Sequence, residues 1–258
     1  MFSSLSLLAS QTLVAMLAFQ PAPQDAAAGF RPATPDAATR PATPLSPEMR
    51  GDIFMARKMY REAAEMYKQA PESAITANKT GIAYHQMLDL NMARKYYERA
   101  IKLDPAYSEG VNNLGTVYYA QKSYRRAINQ YKKALRLKPD SASMISNLGT
   151  AYFARKNYDL ALEMYQKALE LDPDVFERRS TQGTLLQERS VEERAKMHYT
   201  LAKAYAKTGK TDLAILYVRK ALEEGFKERE KFQKEPEFAA LQDNDEFKKL
   251  MAVEPKVL

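Results

Sequence analysis

The sequence predicts an all-α chain, an α-solenoid of about five helix-turn-helix hairpins finished by a C-terminal helical cap. Three observations predict it. Residues 108–175 write one pattern twice at an offset of 34 residues: Asn113-Leu114-Gly115-Thr116, Tyr118, Tyr124, Ala127, Tyr131, Ala134-Leu135 and Pro139, then Asn147-Leu148-Gly149-Thr150, Tyr152, Tyr158, Ala161, Tyr165, Ala168-Leu169 and Pro173. Within each copy the apolar residues recur at helical spacing in two runs, so each copy is two amphipathic helices. A proline follows each second run, where its missing N–H and its ring clash stop a helix. One such hairpin cannot bury its apolar stripes alone, whereas stacked copies can.

The chain read in order extends this pattern in both directions. Leu5 to Phe19 is an apolar run without a preceding Lys or Arg, too short for a clear membrane span and of the right length for the core of an export signal. Residues 1–28 are therefore expected to be a signal peptide or a retained N-terminal anchor, with a mis-assigned start as the third reading. The stretch 29–47 is rich in Pro, Ala and Thr, repeats Arg-Pro-Ala-Thr-Pro from Arg31 and Arg40, and reads as a disordered linker. Gly51, Phe54, Tyr60, Ala63, Tyr67 and Ala70 give a degenerate first hairpin (44–73) whose second helix is cut short by Pro71. Gly81, Tyr84, Ala93, Tyr97, Ala100 and Pro105 give the next (74–107), followed by the two paired blocks, 108–141 and 142–175. The spacing then breaks over an insertion, 176–194, with a turn-like patch at Ser180–Thr184. Ser190 and Glu193 have capping-box spacing, and Leu201, Tyr205, Ala214, Val218 and Ala221 form a further hairpin at 195–225, with Ala202 where glycine stood before. Gly209 marks its turn and Gly225 its end. The tail, 226–258, spaces Phe226, Phe232, Phe238, Leu241 and Phe247 as short helices that cover the last hairpin.

Glycine inside a helix costs about 1 kcal/mol relative to alanine, so Gly115 and Gly149 predict a close approach of the paired helix, with Ala127 and Ala161 supplying the small facing surface.

These positions resemble the tetratricopeptide repeat family, whose 34-residue unit has the same order of Leu-Gly, Tyr, Ala, aromatic, Ala and Pro. The resemblance implies a right-handed superhelix with a concave groove lined by the first helix of each repeat, and a non-catalytic scaffold that binds a peptide or protein segment in that groove. It also resembles exported bacterial scaffolds of this family, which implies an exported, periplasmic or membrane-tethered protein acting in cell-envelope assembly; a cytoplasmic setting is the alternative. Projecting the register, the groove takes Asn78, Ile82 and His85 from one repeat and Asn112, Asn113, Thr116 and Tyr119 from the next. It takes Ser146, Asn147, Thr150 and Phe153 from the third and Tyr199 and Lys203 from the repeat after the insertion. Ala206 joins Tyr199 and Lys203 from that last repeat, and Lys79 and Lys196 lie at the margins. Asn113 and Asn147 share a repeat position and can each donate to and accept from a peptide backbone; Tyr119 and Phe153 offer rigid apolar platforms. Family members that clamp a C-terminal carboxylate need a Lys, Asn and Arg set, and Ile82, Thr116 and Thr200 stand where parts of it belong, so that ligand is rejected.

Composition narrows the chemistry. The chain has no cysteine, which excludes disulfides, thiolate metal sites and a cysteine nucleophile. Its two histidines, His85 and His198, fall in different repeats, and neither a phosphate loop, a Gly-x-Ser-x-Gly elbow nor a His-Glu-x-x-His pair occurs. No enzyme activity, cofactor or metal is expected. The net charge of +7 is concentrated in residues 51–140, which hold 16 basic and 9 acidic side chains. That excess reads as a solvated second-helix face, with nucleic-acid binding along it as the alternative function.

Overall fold

A computed structural model of the chain describes residues 44–177 and 190–252. The expected export segment, most of the linker, the Ser180–Thr184 patch and the last six residues lie outside these. The described residues are all-helical, without strands. Five hairpins follow one another: α1 (Pro47–Ala56) with α2 (Tyr60–Gln69), α3 (Ala74–Gln86) with α4 (Leu90–Leu103), and α5 (Ser108–Ala120) with α6 (Tyr124–Leu137). Then come α7 (Ala142–Ala154) with α8 (Tyr158–Leu171), and α9 (Val191–Lys207) with α10 (Thr211–Glu223). Two short helices, α11 (Lys231–Lys234) and α12 (Asp245–Ala252), flank a 3-10 segment, Pro236–Leu241. From α1 to α10 each helix packs on the next in the chain, and consecutive first helices α3, α5 and α7 also touch.

The linker boundary moves. Pro47, assigned to the linker, is the first residue of α1, and Ser46 caps it by accepting the Met49 N–H at 3.1 Å. Proline suits this place because its fixed φ is already helical and the N–H it lacks has no partner there.

What holds the first four hairpins shut is a glycine-tyrosine contact sixteen residues apart in sequence. A Cβ added to Gly81 would meet Tyr97 Cε1 at 2.6 Å, one on Gly115 would meet Tyr131 Cε1 at 2.6 Å, and one on Gly149 would meet Tyr165 Cε1 at 2.7 Å; Gly51 faces Tyr67 in the same way. The glycines therefore face tyrosine rings directly, and Ala127 and Ala161 are fully buried alongside. This corrects the expectation that the alanines form the facing surface. The last hairpin makes the complementary choice. Ala202 stands in the glycine position and Val218 in the tyrosine position, both fully buried, so the methyl added on one side is matched by the ring removed on the other.

Between the two helices of every hairpin the chain turns through one residue in the left-handed region: Lys58 (φ 60°), Leu88 (62°), Lys122 (57°), Lys156 (63°) and Gly209 (71°). The closing bonds also repeat. Ser123 N–H donates to the Tyr118 carbonyl at 2.8 Å and Lys122 N–H to that of Tyr119 at 2.8 Å, as Asn157 and Lys156 do to Tyr152 and Phe153 at 3.0 and 2.8 Å. This is the Schellman closure, which favours glycine because a Cβ is strained there. Leu88 holds that conformation with its side chain 72% exposed, so it gives up little by removal. Leu88→Gly is expected to raise stability by about 0.5–1 kcal/mol, read as a higher midpoint in urea unfolding.

The insertion is shorter than its sequence suggests. Phe176 is buried, with its ring edge-on to Tyr165 at 5.2 Å and to Tyr205 at 6.4 Å. Glu177 accepts from Tyr205 Oη at 3.2 Å and from Tyr217 Oη at 3.0 Å. At the other side α9 begins at Val191, where the capping-box spacing of Ser190 and Glu193 places a helix start and four residues before the expected repeat boundary, and Ser190 accepts the Glu193 N–H at 3.2 Å. Residues 176–177 and 191–194 thus belong to the helical stack, because burial of an aromatic ring outweighed the broken spacing. Helix α9 packs on α8 as each earlier first helix packs on the second helix before it.

Candidate functional site: the first-helix face

The first helices present one face along which the projected residues line up, and the structure joins several of them to one another. Asn147 Nδ2 donates to Asn112 Oδ1 at 3.1 Å, Asn112 Nδ2 to Asn113 Oδ1 at 3.3 Å, Asn113 Nδ2 to Asn78 Oδ1 at 2.9 Å, and Asn78 Nδ2 to Tyr107 Oη at 3.3 Å. This is a continuous amide relay across α3, α5 and α7, running through two inter-repeat joints. It follows from the repeat length: residues 35 apart on consecutive first helices come side by side. Thr116 Oγ1 lies 3.5 Å from His85 Nδ1 across the first of these joints and donates to the Asn113 carbonyl at 2.7 Å. Ser146 Oγ donates to the Ser143 carbonyl at 2.8 Å.

Asn112, Asn113 and Asn78 have each spent one N–H and one lone pair and keep one donor and one acceptor, while Asn147 has spent one N–H. Asn112, Asn113, Thr116, Tyr119, Ser146, Asn147, Ile82 and His85 are all half-buried and remain reachable along one edge. His85 is held below the usual histidine range by burial, so it is neutral at pH 7. The centre of this face carries no formal charge.

Several projected residues are not on the open face. Asn78 is 5% exposed and works as the buried end of the relay. Thr150 is buried, donating to the Ser146 carbonyl at 2.9 Å and accepting from Tyr165 Oη at 3.4 Å. Phe153 is 3% exposed, edge-on to Tyr158 at 5.2 Å, and cannot serve as a platform; Tyr119 is tilted against Tyr124 at 5.3 Å and stays half-exposed. The physical reason is the neighbouring hairpin. Lys196 of α9 lies 4.0 Å above the Tyr158 ring, closing the end of the face that Phe153 would have used.

Tyr199 and Lys203 are corrected more strongly, because the chain's own tail covers them. The Tyr199 ring stacks on Phe226 at 4.5 Å and meets Phe232 at 5.5 Å and Phe238 at 6.1 Å, and its hydroxyl donates to Glu235. Burial and the Glu235 carboxylate push that hydroxyl's pKa up. Lys203 pairs with Glu235 at 3.0 Å and Glu237 at 3.5 Å. The Glu-Pro-Glu-Phe segment therefore takes the place that a sixth first helix would have taken, and it matches the lysine with acids.

At the other end, sequence reasoning missed an ion-pair joint. Lys79 Nζ lies 2.7 Å from Glu48 and 2.9 Å from Asp52, and Asp52 also accepts from Tyr67 Oη at 2.8 Å. The signal was available: Glu48 stands three residues before Gly51, as Asn78 and Asn112 stand before Gly81 and Gly115. Among the described residues no group of three or more His, Asp or Glu side chains is arranged to hold a metal ion, and no helix is long and apolar enough to cross a membrane.

Residues 79–142 and 112–175 match the tetratricopeptide repeat pattern in one form, and residues 195–224 match it in another. No curated protein matches the sequence. Among solved structures, a crystal structure of MamA is 24% identical over 67% of this chain and 93% of that one, with a TM-score of 0.47. The second TPR domain of human RPAP3 in complex with the HSP70 peptide SGPTIEEVD is 24% identical over 41% of this chain and 92% of that one, at a TM-score of 0.39. The first TPR of Spaghetti (RPAP3) bound to the HSP90 peptide SRMEEVD is 25% identical over 41% and 83%, at 0.40. The repeats at 79–175 and 195–224, with the glycine-tyrosine closure and the paired helices around them, make this chain an all-helical tetratricopeptide repeat array.

Proposed function

We propose that this protein is a non-catalytic scaffold that binds an extended segment of a partner protein along the first-helix face of α3, α5 and α7. The observation that carries the reading is the amide relay, whose open members Asn112, Asn113 and Asn147 keep spare donors and acceptors on an uncharged face. An extended backbone offers the matching row of N–H and C=O groups, each bond worth about 1 kcal/mol net. Tyr119 and Ile82 flank the relay as apolar contacts for one partner side chain. The absence of formal charge at the centre favours a segment without clustered carboxylates. The two RPAP3 structures are of TPR domains holding acidic-ended peptides; here Thr116 and Ile82 stand where a charged clamp would need its residues.

The relay also holds the repeats together, so asparagine substitutions would confuse binding with folding. The better probe is Tyr119→Ala, at a half-exposed ring. Binding of a fluorescent library of extended peptides to the full chain is expected to select uncharged sequences at dissociation constants of about 1–10 μM, or about 7–8 kcal/mol. Tyr119→Ala is expected to weaken the selected peptides about tenfold with unchanged helical circular dichroism. Selection of peptides with acidic C-termini, or an unchanged affinity in the variant, would overturn the reading.

The setting we propose is the cell envelope, supported by the apolar Leu5–Phe19 run and the proline-rich stretch after it. Cell fractionation with N-terminal sequencing of the mature protein tests it, and recovery in the cytoplasmic fraction with Met1 intact would remove it.

A further inference from the structure

The second helices carry an unused pattern. From Tyr124 to Lys138, α6 and its cap hold Arg125, Arg126, Lys132, Lys133, Arg136 and Lys138 and no acidic residue. From Tyr158 to Asp172, α8 and its cap hold Asp159, Glu163, Glu170 and Asp172 against the single Lys167. Opposite signs stand at three positions of the repeat offset, Arg125 with Asp159, Arg136 with Glu170 and Lys138 with Asp172, while Lys133 and Lys167 share a sign. Within the chain Lys138 is already paired with Glu109 at 2.9 Å, which leaves the first two correspondences open. Arg125, Arg136, Asp159 and Glu170 are exposed, and among the described residues none of the four makes an ion pair. Three leucines are exposed on the same two helices, Leu137 (41%), Leu160 (40%) and Leu171 (44%).

We propose that the protein forms a two-fold dimer through α6 and α8, with the basic helix of each copy on the acidic helix of the other. The geometry follows from the repeat. Successive second helices run in the same direction, so a two-fold axis parallel to them and between them lays α6 over the partner copy's α8 at the same height. Residues 34 apart then face each other, which is the offset at which the charges oppose. Leu137 and Leu171 lie about 100° round their helices from Arg136 and Glu170, so they flank the charged seam of each α6–α8 pairing. Because the interface is isologous, every pairing occurs twice.

Exposed ion pairs contribute about 0–1 kcal/mol each, so the charges set register and encounter rate while the leucines supply apolar burial. A polyanion such as nucleic acid would be served by α6 but repelled by α8 beside it. A second copy satisfies both helices. The dimer leaves the first-helix face open, so it presents two binding faces and joins two partner segments, with avidity where they are linked.

Sedimentation equilibrium on the full chain tests this. Self-association is expected at about 50 mM salt, weakening at least tenfold at about 500 mM as screening shortens the range of the charges. Arg125→Asp with Arg136→Glu puts acidic residues at these two positions of both helices, and Asp159→Arg with Glu170→Arg puts basic residues at them. Each double variant alone is expected to lose association at least tenfold while keeping its circular dichroism, and an equimolar mixture of the two is expected to form a heterodimer. A wild-type chain that stays monomeric at about 200 μM in low salt, association indifferent to either charge reversal, or folded variants that fail to pair when mixed would each overturn the proposal. Heparin retention by a wild type that remains monomeric would assign the α6 face to a polyanion instead.

Discussion

Gly149→Ala is expected to destabilise the protein by about 2–3 kcal/mol, a larger effect than helix propensity alone would suggest, because alanine is intrinsically the better helix former by about 1 kcal/mol. The new methyl would stand 2.7 Å from Tyr165 Cε1 and 2.8 Å from its Cδ1, with Met164 Cβ at 3.1 Å on another side. The ring cannot step aside cheaply. It is fully buried, its hydroxyl bonds to Thr150 Oγ1 and Met197 Sδ at 3.4 Å each, and Phe176 lies edge-on to it at 5.2 Å. A fall in Tm of roughly 5–10 °C corresponds to that loss for a chain of this size.

The partner substitution makes the test specific. Tyr165→Val alone opens a cavity and costs about 3 kcal/mol by the same reasoning that governs other large-to-small core changes. Joined with Gly149→Ala it recreates the Ala202 and Val218 pairing already present in the last hairpin. The double variant is therefore expected to lose at least about 1 kcal/mol less than the sum of the singles, measured as a double-mutant cycle in urea. Additive losses, or a Gly149→Ala chain as stable as wild type, would show that the ring does not set the glycine.

Phe238→Ala is expected to cost about 3–5 kcal/mol and to act locally. Phe238 is fully buried, 5.2 Å from Phe232 and 6.1 Å from Tyr199, and it secures the 3-10 segment over α9. In a linear array each hairpin depends mainly on its neighbours, so loss of the cap is felt first by the hairpin beneath it. Amide hydrogen exchange should accelerate in α9 and α10 while α3 to α6 keep their protection. Uniform acceleration along the chain would instead mean that the array unfolds as one unit.

These expectations rest on different kinds of legibility. The hairpins could be read directly because a 34-residue period with fixed glycine, tyrosine, alanine and proline positions is a local signal repeated several times. The relay was half legible. Asn113 and Asn147 stood out as equivalent positions on the exposed side of a helix, which is why they were projected into a groove. That Asn113 bonds to Asn78 and Asn147 to Asn112 depends on how far one hairpin is displaced from the next, a distance that no helical wheel contains. Phe153 and Thr150 were misplaced for a related reason: α9, arriving after a break in spacing, closes the end of the face above them. Tyr199 and Lys203 were misplaced because Glu235 and Phe238, more than thirty residues away, return to cover them.

The sequence by itself determined the all-helical class, the number of hairpins, the glycine positions within them, the turns and the opposed charges on α6 and α8, because each is written at fixed spacing within one or two repeats. Only the tertiary structure decided which polar side chains on the first helices are spent between repeats and which stay open. Those outcomes depend on stacking displacement and on a tail that folds back, and neither leaves a periodic trace in the chain.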